Sequence, residues 1–306
     1  MDELKNPKNP LRTHANKIAK KTSATTENIE IDNVDTHIPN NLPCAIFGDK
    51  GSGKSTLLRS IIDLTNKTIF KHIFFVYSTL SIDEEFPDGV IRIEVSRSEL
   101  FLYNLFEIKA IYSSFMKFFI AINKESHKLS SDEEFSEFIL SNLDNNINTY
   151  CSDILNSDFN KQVKVDRIIQ VGETIISRYS KSFDIDGILI PNGFGYHDLD
   201  ALFIDDIAIA SKILFKRITD NPLYQYFTLT RHMGLAIFMS GQQVEQLPKS
   251  LRRETQCYLF SKNTQLELLN GVISKRIMNE IVIKQSELEP YHFVVYNVVE
   301  GFVGII

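Results

Sequence analysis

The chain has 306 residues, of which 43% are hydrophobic and 24% charged, and its formal net charge is −6. That length carries a sizeable core as one large domain or two ordinary ones, and the composition is that of a soluble globular protein. The acidic balance excludes a protein that coats nucleic acid over its whole surface, but a loop or a ring lumen can still meet phosphates through a few placed cations. Residues 1–21 hold no apolar h-region, so no signal peptide is expected. The most apolar segment, 100–122, is interrupted by Glu107, Lys109 and Lys117, which predicts a packed amphipathic helix rather than a membrane span. Cys44, Cys151 and Cys257 lie far apart in the chain, form no disulfide or zinc pattern and suit a reducing compartment.

Residues 1–38 are polar, carry a small basic cluster at Lys17, Lys20 and Lys21, and read as a flexible arm. The apolar run 43–47 then predicts a strand, and Thr56 to Ile62 has helical apolar spacing. Between them lies Gly48-Asp49-Lys50-Gly51-Ser52-Gly53-Lys54-Ser55-Thr56, which fits G-x-x-x-x-G-K-[ST], the phosphate-binding P-loop. Glycines let the backbone wrap phosphates with its N–H groups turned inward, and the following helix offers its positive end. Lys54 is expected to reach the β- and γ-phosphates of ATP, and the Ser55 hydroxyl to ligate Mg²⁺.

Further strands are predicted at 72–77 and 90–95. From about 98 to 181 the pattern turns helical, with Phe101, Leu105, Ile108, Tyr112, Phe115 and Phe119 at three- and four-residue steps and amphipathic stretches at 133–143 and 163–179. Residues 124–132 read as a surface loop and 188–193 as a turn. The apolar strand 199–204 ends in Asp205-Asp206, and a helix over about 208–230 leads to a strand at 235–239. A short strand at 258–261, a helix at 264–279 and a hairpin of 292–298 with 301–306 close the chain. Strands alternating with helices predict an α/β fold with a central, mostly parallel sheet flanked by helices. The ATPase domain is placed at 39–306, with a helical insertion at about 98–181 and a C-terminal helix and β-hairpin at about 262–306.

Two acids closing an apolar strand stand where ligands bind in open α/β sheets. Asp205 is assigned to Mg²⁺ and Asp206 to polarising the attacking water; capping of the next helix is the plainer alternative. Arg231-His232-Met233-Gly234 precedes the strand at 235–239, and Ser240-Gly241-Gln242-Gln243 follows it. Gln242 at the strand tip is a candidate γ-phosphate sensor. Arg231 before the strand is a candidate arginine finger for a neighbouring subunit, the alternative being a helix end that carries Arg and His for its dipole.

Together these motifs resemble the FtsK–HerA superfamily of DNA-pumping ATPases. Gln246-Leu247-Pro248-Lys249-Ser250-Leu251-Arg252-Arg253 after the glutamine is similar to the poxvirus-type genome-packaging ATPases of large DNA viruses and virophages. The resemblance covers about residues 43–80 and 199–262. It implies a P-loop NTPase of the RecA/ASCE type that uses ATP and Mg²⁺. It further implies a homo-oligomeric ring, a pentamer or hexamer, that threads double-stranded DNA into a viral capsid at its portal vertex. The place of work would be the host cytoplasm, the viral assembly site or the virion. The chain departs from the pattern at Asp206, where many members have Glu, and at Gly241, where Thr is common. Arg252 and Arg253 are the second choices for the finger. Lys212, Lys216, Arg217, Lys249, Arg252, Arg253, Lys275 and Arg276 are candidate DNA contacts, each equally readable as solvated surface. A small-molecule or nucleoside kinase, or a nucleotide-gated scaffold, would share the P-loop. No Arg-rich lid stands out, and the span from Lys54 to Asp205 is long for a kinase.

Overall fold

Strand β1 (Cys44–Phe47), apolar and buried at every position, runs into helix α1 (Lys54–Thr65). Strands β2 (Phe70–Tyr77) and β3 (Val90–Glu94) follow, then the long helix α2 (Val95–Glu125). Helices α3 (Asp132–Ser141), α4 (Asn145–Tyr150), α5 (Ser152–Leu155) and α6 (Lys161–Tyr179) precede a small hairpin of β4 (Phe183–Ile185) and β5 (Ile188–Ile190). Next come β6 (Leu199–Ile204), α7 (Ile207–Leu214), β7 (Leu235–Gly241), α8 (Lys249–Glu254) and β8 (Cys257–Phe260). Helix α9 (Lys275–Glu287) and strands β9 (Val294–Asn297) and β10 (Phe302–Ile305) end the chain. The structure, a computed structural model, describes residues 43–65, 69–78, 88–125, 131–195, 198–214 and 233–306. It divides into two units, Met1–Glu99 with Leu199–Ile306, and Leu100–Asp198.

The first unit is built on an eight-stranded sheet in the order β10-β9-β8-β1-β7-β6-β2-β3. Pairings from β3 through β8 are parallel, and β9 and β10 are antiparallel additions at one edge. Strands β6 and β7 are buried almost end to end, as continuous apolar runs in the middle of a parallel sheet should be. Ile46, Leu58, Ile62, Phe75, Phe203, Phe238 and Leu259 share one core, in which the Phe203 and Phe238 rings stack at 4.6 Å. A polar pair is buried between β2 and β6. His72 Nδ1 lies 2.8 Å from Asp200 Oδ1, with the two side chains 2% and 0% exposed, and the same oxygen accepts from the His72 amide. A one-residue slip of β2 against β6 would strand a carboxylate in the core, so the pair fixes their register.

The second unit has its own core of Ile111, Phe115, Phe118, Ile139, Ile147, Val165 and Ile168. Helices α3, α4 and α6 start on the side chains of Ser131, Asp144 and Asn160, each accepting from a backbone N–H three residues on. Gly172 permits close helix contact: a Cβ there would lie 2.5 Å from the Phe115 ring. Among the described residues no helix is long and apolar enough to cross a membrane.

Two expectations differ from the structure. The turn read at 188–193 is partly strand: Asp186 and Gly187, at φ 51° and 81°, make the tight turn between β4 and β5. The helix expected at 264–279 is a short 3₁₀ turn at Glu267–Leu269 followed by α9, which begins eleven residues late. Gly271 at φ 81° breaks the earlier segment, and Ser274 caps the true start by accepting from the Ile277 amide. The helix expected over 208–230 is described only as α7; the remainder lies outside the described residues.

All three thiols are free and buried, with Cys44 and Cys257 facing each other across β1 and β8. Burial raises the Cys44 thiol well above its usual range, helped by Cys257, and burial pushes Cys151 up to about 11. The folded chain thus keeps protons that an unfolded chain releases near pH 8.5, so their contribution is intact below that pH and is lost as pH rises towards 11. Ellman's reagent at pH 8 should leave the native thiols unlabelled and titrate all three in denaturant. The melting temperature should fall between pH 8.5 and 11, and fall less in Cys151→Ala.

Candidate active site

Parallel strands bring their carboxyl ends to one edge, and the register shows which ends meet. Phe47 of β1 pairs with Gly241 of β7 and with Phe260 of β8, while Ile204 of β6 pairs with Met239. The P-loop, the Gly241-Gln242 corner and Asp205-Asp206 therefore leave adjacent strands side by side, with β7 between the other two. The loop is tied at its root, where the Gly48 amide donates to Gly241 O at 3.1 Å. A Cβ on Gly48 would lie 2.4 Å from Ser261 Oγ and 2.5 Å from Ser52 Oγ, so only glycine fits. Gly51 and Gly53, at φ 82° and 91°, turn the loop back on itself to form an anion cradle ahead of α1. No acidic residue occupies the first turn of α1, which leaves its positive end to a phosphate.

Lys54 is the first residue of α1, and its Nζ folds back to donate to Gly48 O (2.6 Å) and Asp49 O (2.9 Å). Burial lowers its pKa, and the negative charges of Asp205, Asp49 and Asp206 work against that shift. Ser55 and Thr56 follow in the same turn, Ser55 half-buried and Thr56 exposed. Asp49, Lys50 and Gly51 are exposed on the loop's outer side.

Asp205 Oδ1 accepts from Ser240 Oγ (2.5 Å) and from the Asp206 amide (3.0 Å). The Ser240 hydroxyl in turn accepts from the Asp206 amide at 3.2 Å. Asp206, whose carbonyl accepts the first backbone bonds of α7 from Ile209 (3.0 Å) and Ala210 (3.3 Å), has φ 51° in the left-handed region. Its Oδ1 is buried with no hydrogen-bond partner among the described residues, as is Ser52 Oγ on the loop. Buried orphans of this kind cost stability unless a ligand satisfies them.

These features fit a magnesium nucleotide. Among the described residues no three His, Cys, Asp or Glu side chains gather into a metal-ligand cluster. A hydroxyl at Ser55 and a carboxylate at Asp205, completed by phosphate oxygens and waters, are the few protein ligands Mg²⁺ takes beside a triphosphate.

Gln242 is exposed at the tip of β7, and its amide donates to Gln246 Oε1 at 2.8 Å. Gln243 N donates to the same oxygen at 3.3 Å, so Gln246 shapes the corner. Arg231 lies outside the described residues, as do Lys216 and Arg217. Of the alternative fingers, Arg252 is half-buried: its Nη1 donates to Leu268 O at 2.9 Å and its own carbonyl accepts from the Tyr258 hydroxyl. Arg253 is exposed. The structure thus ties Arg252 into the fold and leaves Arg253 at the surface.

Sequence reasoning missed Ser240, which links both aspartates, and the group that braces the loop from the β8 side. There Thr264 Oγ1 donates to Phe47 O (3.0 Å), and Gln285 Nε2 donates to Ser261 O (2.8 Å) and Thr264 O (3.2 Å). A small polar residue just ahead of Gly241 was a usable signal for Ser240. Nothing local marks Gln285, which lies far along the chain.

No family model matches the chain, and no curated protein matches it. Solved structures do. The genome packaging NTPase B204 from Sulfolobus turreted icosahedral virus 2, in complex with ATP-gammaS, is 15% identical, with 88% of this chain and 98% of that chain covered and a TM-score of 0.41. The cytoplasmic domain of the Thermomonospora curvata type VII secretion ATPase EccC is 14% identical, with 87% and 25% covered and a TM-score of 0.40. The N-terminal domain of zonular occludens toxin from Neisseria meningitidis is 13% identical, with 88% and 94% covered and a TM-score of 0.35. The chain's own sheet order and phosphate loop identify an α/β P-loop NTPase fold.

Gly241 is packed tightly. A Cβ there would lie 2.7 Å from Ile207 Cγ2 and 3.0 Å from Gln246 Oε1. Gly241→Thr should therefore destabilise the protein by about 1–3 kcal/mol in urea unfolding. Combined with Ile207→Ala, the loss should be smaller than the sum of the two single losses by at least about 0.5 kcal/mol.

Proposed function

We propose that this chain is an ATP-hydrolysing motor that moves double-stranded DNA, working as a homo-oligomeric ring that packages a viral genome into a preformed capsid. One observation carries the hydrolytic half. Lys54 stands at the aligned strand ends within the field of Asp205 and Asp206, and an Asp206 oxygen there is buried with no partner among the described residues.

The chemistry then follows from the side chains. The triphosphate enters the cradle of Gly48 to Ser55, and Lys54 exchanges the Gly48 and Asp49 carbonyls for β- and γ-phosphate oxygens. Ser55 and Asp205 would hold Mg²⁺, which when bound would neutralise charge on the phosphate oxygens. Ser240 keeps Asp205 aimed by donating to it. Asp206 orients a water in line with the γ-phosphorus. As the water oxygen bonds to phosphorus, the bond to the β–γ bridging oxygen breaks, its electron pair leaves on ADP, and a water proton passes to the Asp206 carboxylate. Gln242 reports the loss of the γ-phosphate through the corner that Gln246 shapes.

Strand β7 supports the ring. Its seven residues at about 3.3 Å each span roughly 20 Å, so a side chain entering ahead of Leu235 stands at the sheet edge opposite its own P-loop. In sequence Arg231 precedes that point by four residues, and it serves a neighbour's site as the finger. The DNA half rests on the motif resemblance and on exposed cations at Lys212, Lys249, Arg253, Lys275 and Arg276.

Steady-state ATPase assays with and without linear duplex DNA test this reading. Lys54→Ala should abolish nucleotide binding or turnover. Asp206→Asn should bind ATP within about threefold of wild type yet lose about 10²–10⁴ in kcat. Duplex DNA should raise wild-type kcat, and mixing Arg231→Ala with Asp205→Ala subunits should restore part of it. Absence of stimulation by DNA or capsid overturns the motor; phosphate transfer to a small acceptor points to a kinase instead.

A further inference from the structure

Among the described residues, four that are not glycine hold a positive φ: Asp186, Asn192, Asp206 and Tyr291. Three carry the short polar side chains that tolerate this region. Tyr291, at φ 68°, does not, and an aromatic residue held there is strained. It also gains little from burial, being 68% exposed. Both costs fall on a residue beside the P-loop. A Cβ built on Gly53 would lie 3.2 Å from Tyr291 Cδ1, 3.6 Å from its Cβ and 3.8 Å from its Cα. The ring thus packs over the last glycine of the cradle, in the space that glycine leaves.

The segment bearing Tyr291 is fastened on both sides. Lys262 Nζ donates to Leu288 O at 2.9 Å, and the His292 amide donates to Glu289 O at 3.3 Å. Phe293 and Ile306 exchange two backbone bonds of 2.9 Å. A ring placed so firmly, against its backbone preference and facing water, is placed for something outside the fold. The sheet order says what. From β1, the hydrolytic groups Asp205, Asp206 and Ser240 all lie towards β7 and β6, while Tyr291 lies on the β8–β9 side. A nucleotide with its γ-phosphate at the aspartates leaves the cradle with its nucleoside towards Tyr291.

We propose that Tyr291 is the platform on which the nucleobase stacks, setting base affinity separately from phosphate affinity, with purines preferred because they cover more of the ring. This rests on the nucleotide-binding reading above. The interaction is face-to-face contact between π-systems and requires no hydrogen bond from the phenol.

Calorimetric binding of Mg-ATP and of magnesium tripolyphosphate, which shares the phosphates and lacks the base, tests the proposal. Tyr291→Ala should weaken ATP by about tenfold and leave tripolyphosphate within about twofold of wild type. Tyr291→Phe should match wild type for both ligands. Tyr291→Gly should lose ATP affinity as the alanine variant does while melting at a higher temperature than that variant, because glycine accepts φ 68° without strain. Equal weakening of both ligands would make Tyr291 a prop for Gly53 and overturn the proposal, as would unchanged ATP affinity in Tyr291→Ala. Wild-type protein that binds neither ligand overturns the nucleotide reading itself; one that binds tripolyphosphate as tightly as ATP sinks only the stacking platform.

Discussion

The phosphate loop leaves the sheet through a gap with no room for a side chain. At that gap the Gly48 amide bonds to the Gly241 carbonyl, while Ser261 and Ser52 crowd the position a Cβ would take. The bond joins the end of β1 to the end of β7, and β7 in turn carries Ser240, which holds Asp205 and the Asp206 amide. Loop, aspartates and the Gln242 corner are thus one hydrogen-bonded assembly rather than three motifs that happen to be near. The cost is rigidity of composition: Gly48 and Gly241 are both closed to larger residues, and Gly241 is closed by side chains, Ile207 and Gln246, which no motif would single out.

Such coupling explains why part of the site could be read in the sequence and part could not. Lys54, Ser55 and the glycines announce themselves because phosphate binding demands fixed offsets within nine residues. Asp205 is legible because an apolar run has to end somewhere, and an acid at its end is chemically marked. The position of β7 between β1 and β6 is different. It depends on pairings between strands far apart in the chain, and no local pattern encodes them. Ser240, Gln285 and Tyr291 are hidden for the same reason, since each acts on a residue it meets only after the sheet has formed. Two local errors have local causes. The Asp186-Gly187 turn was masked by the short strands around it, and the helix expected at 264–279 overlooked Gly271 as a break and Ser274 as a cap.

The second unit shows the opposite economy. Its aromatic spacing predicted helices, and its helices start where Ser131, Asp144 and Asn160 offer side-chain oxygens. Local rules suffice for those helix starts because each is marked by the side chain that caps it. The sheet unit depends on long-range register instead, and it spends a buried His72–Asp200 pair to secure it.

The resting posture of Lys54 has a kinetic meaning. With its ammonium lodged on two carbonyls of its own loop, the site without phosphate is not a bare positive charge waiting for any anion. A phosphate that takes this ammonium has to displace two bonds already made. The loop therefore behaves as a latch with two seats for one ammonium. The internal seat weighs against weakly held anions, because an ammonium already bonded to two carbonyls gains less from each one.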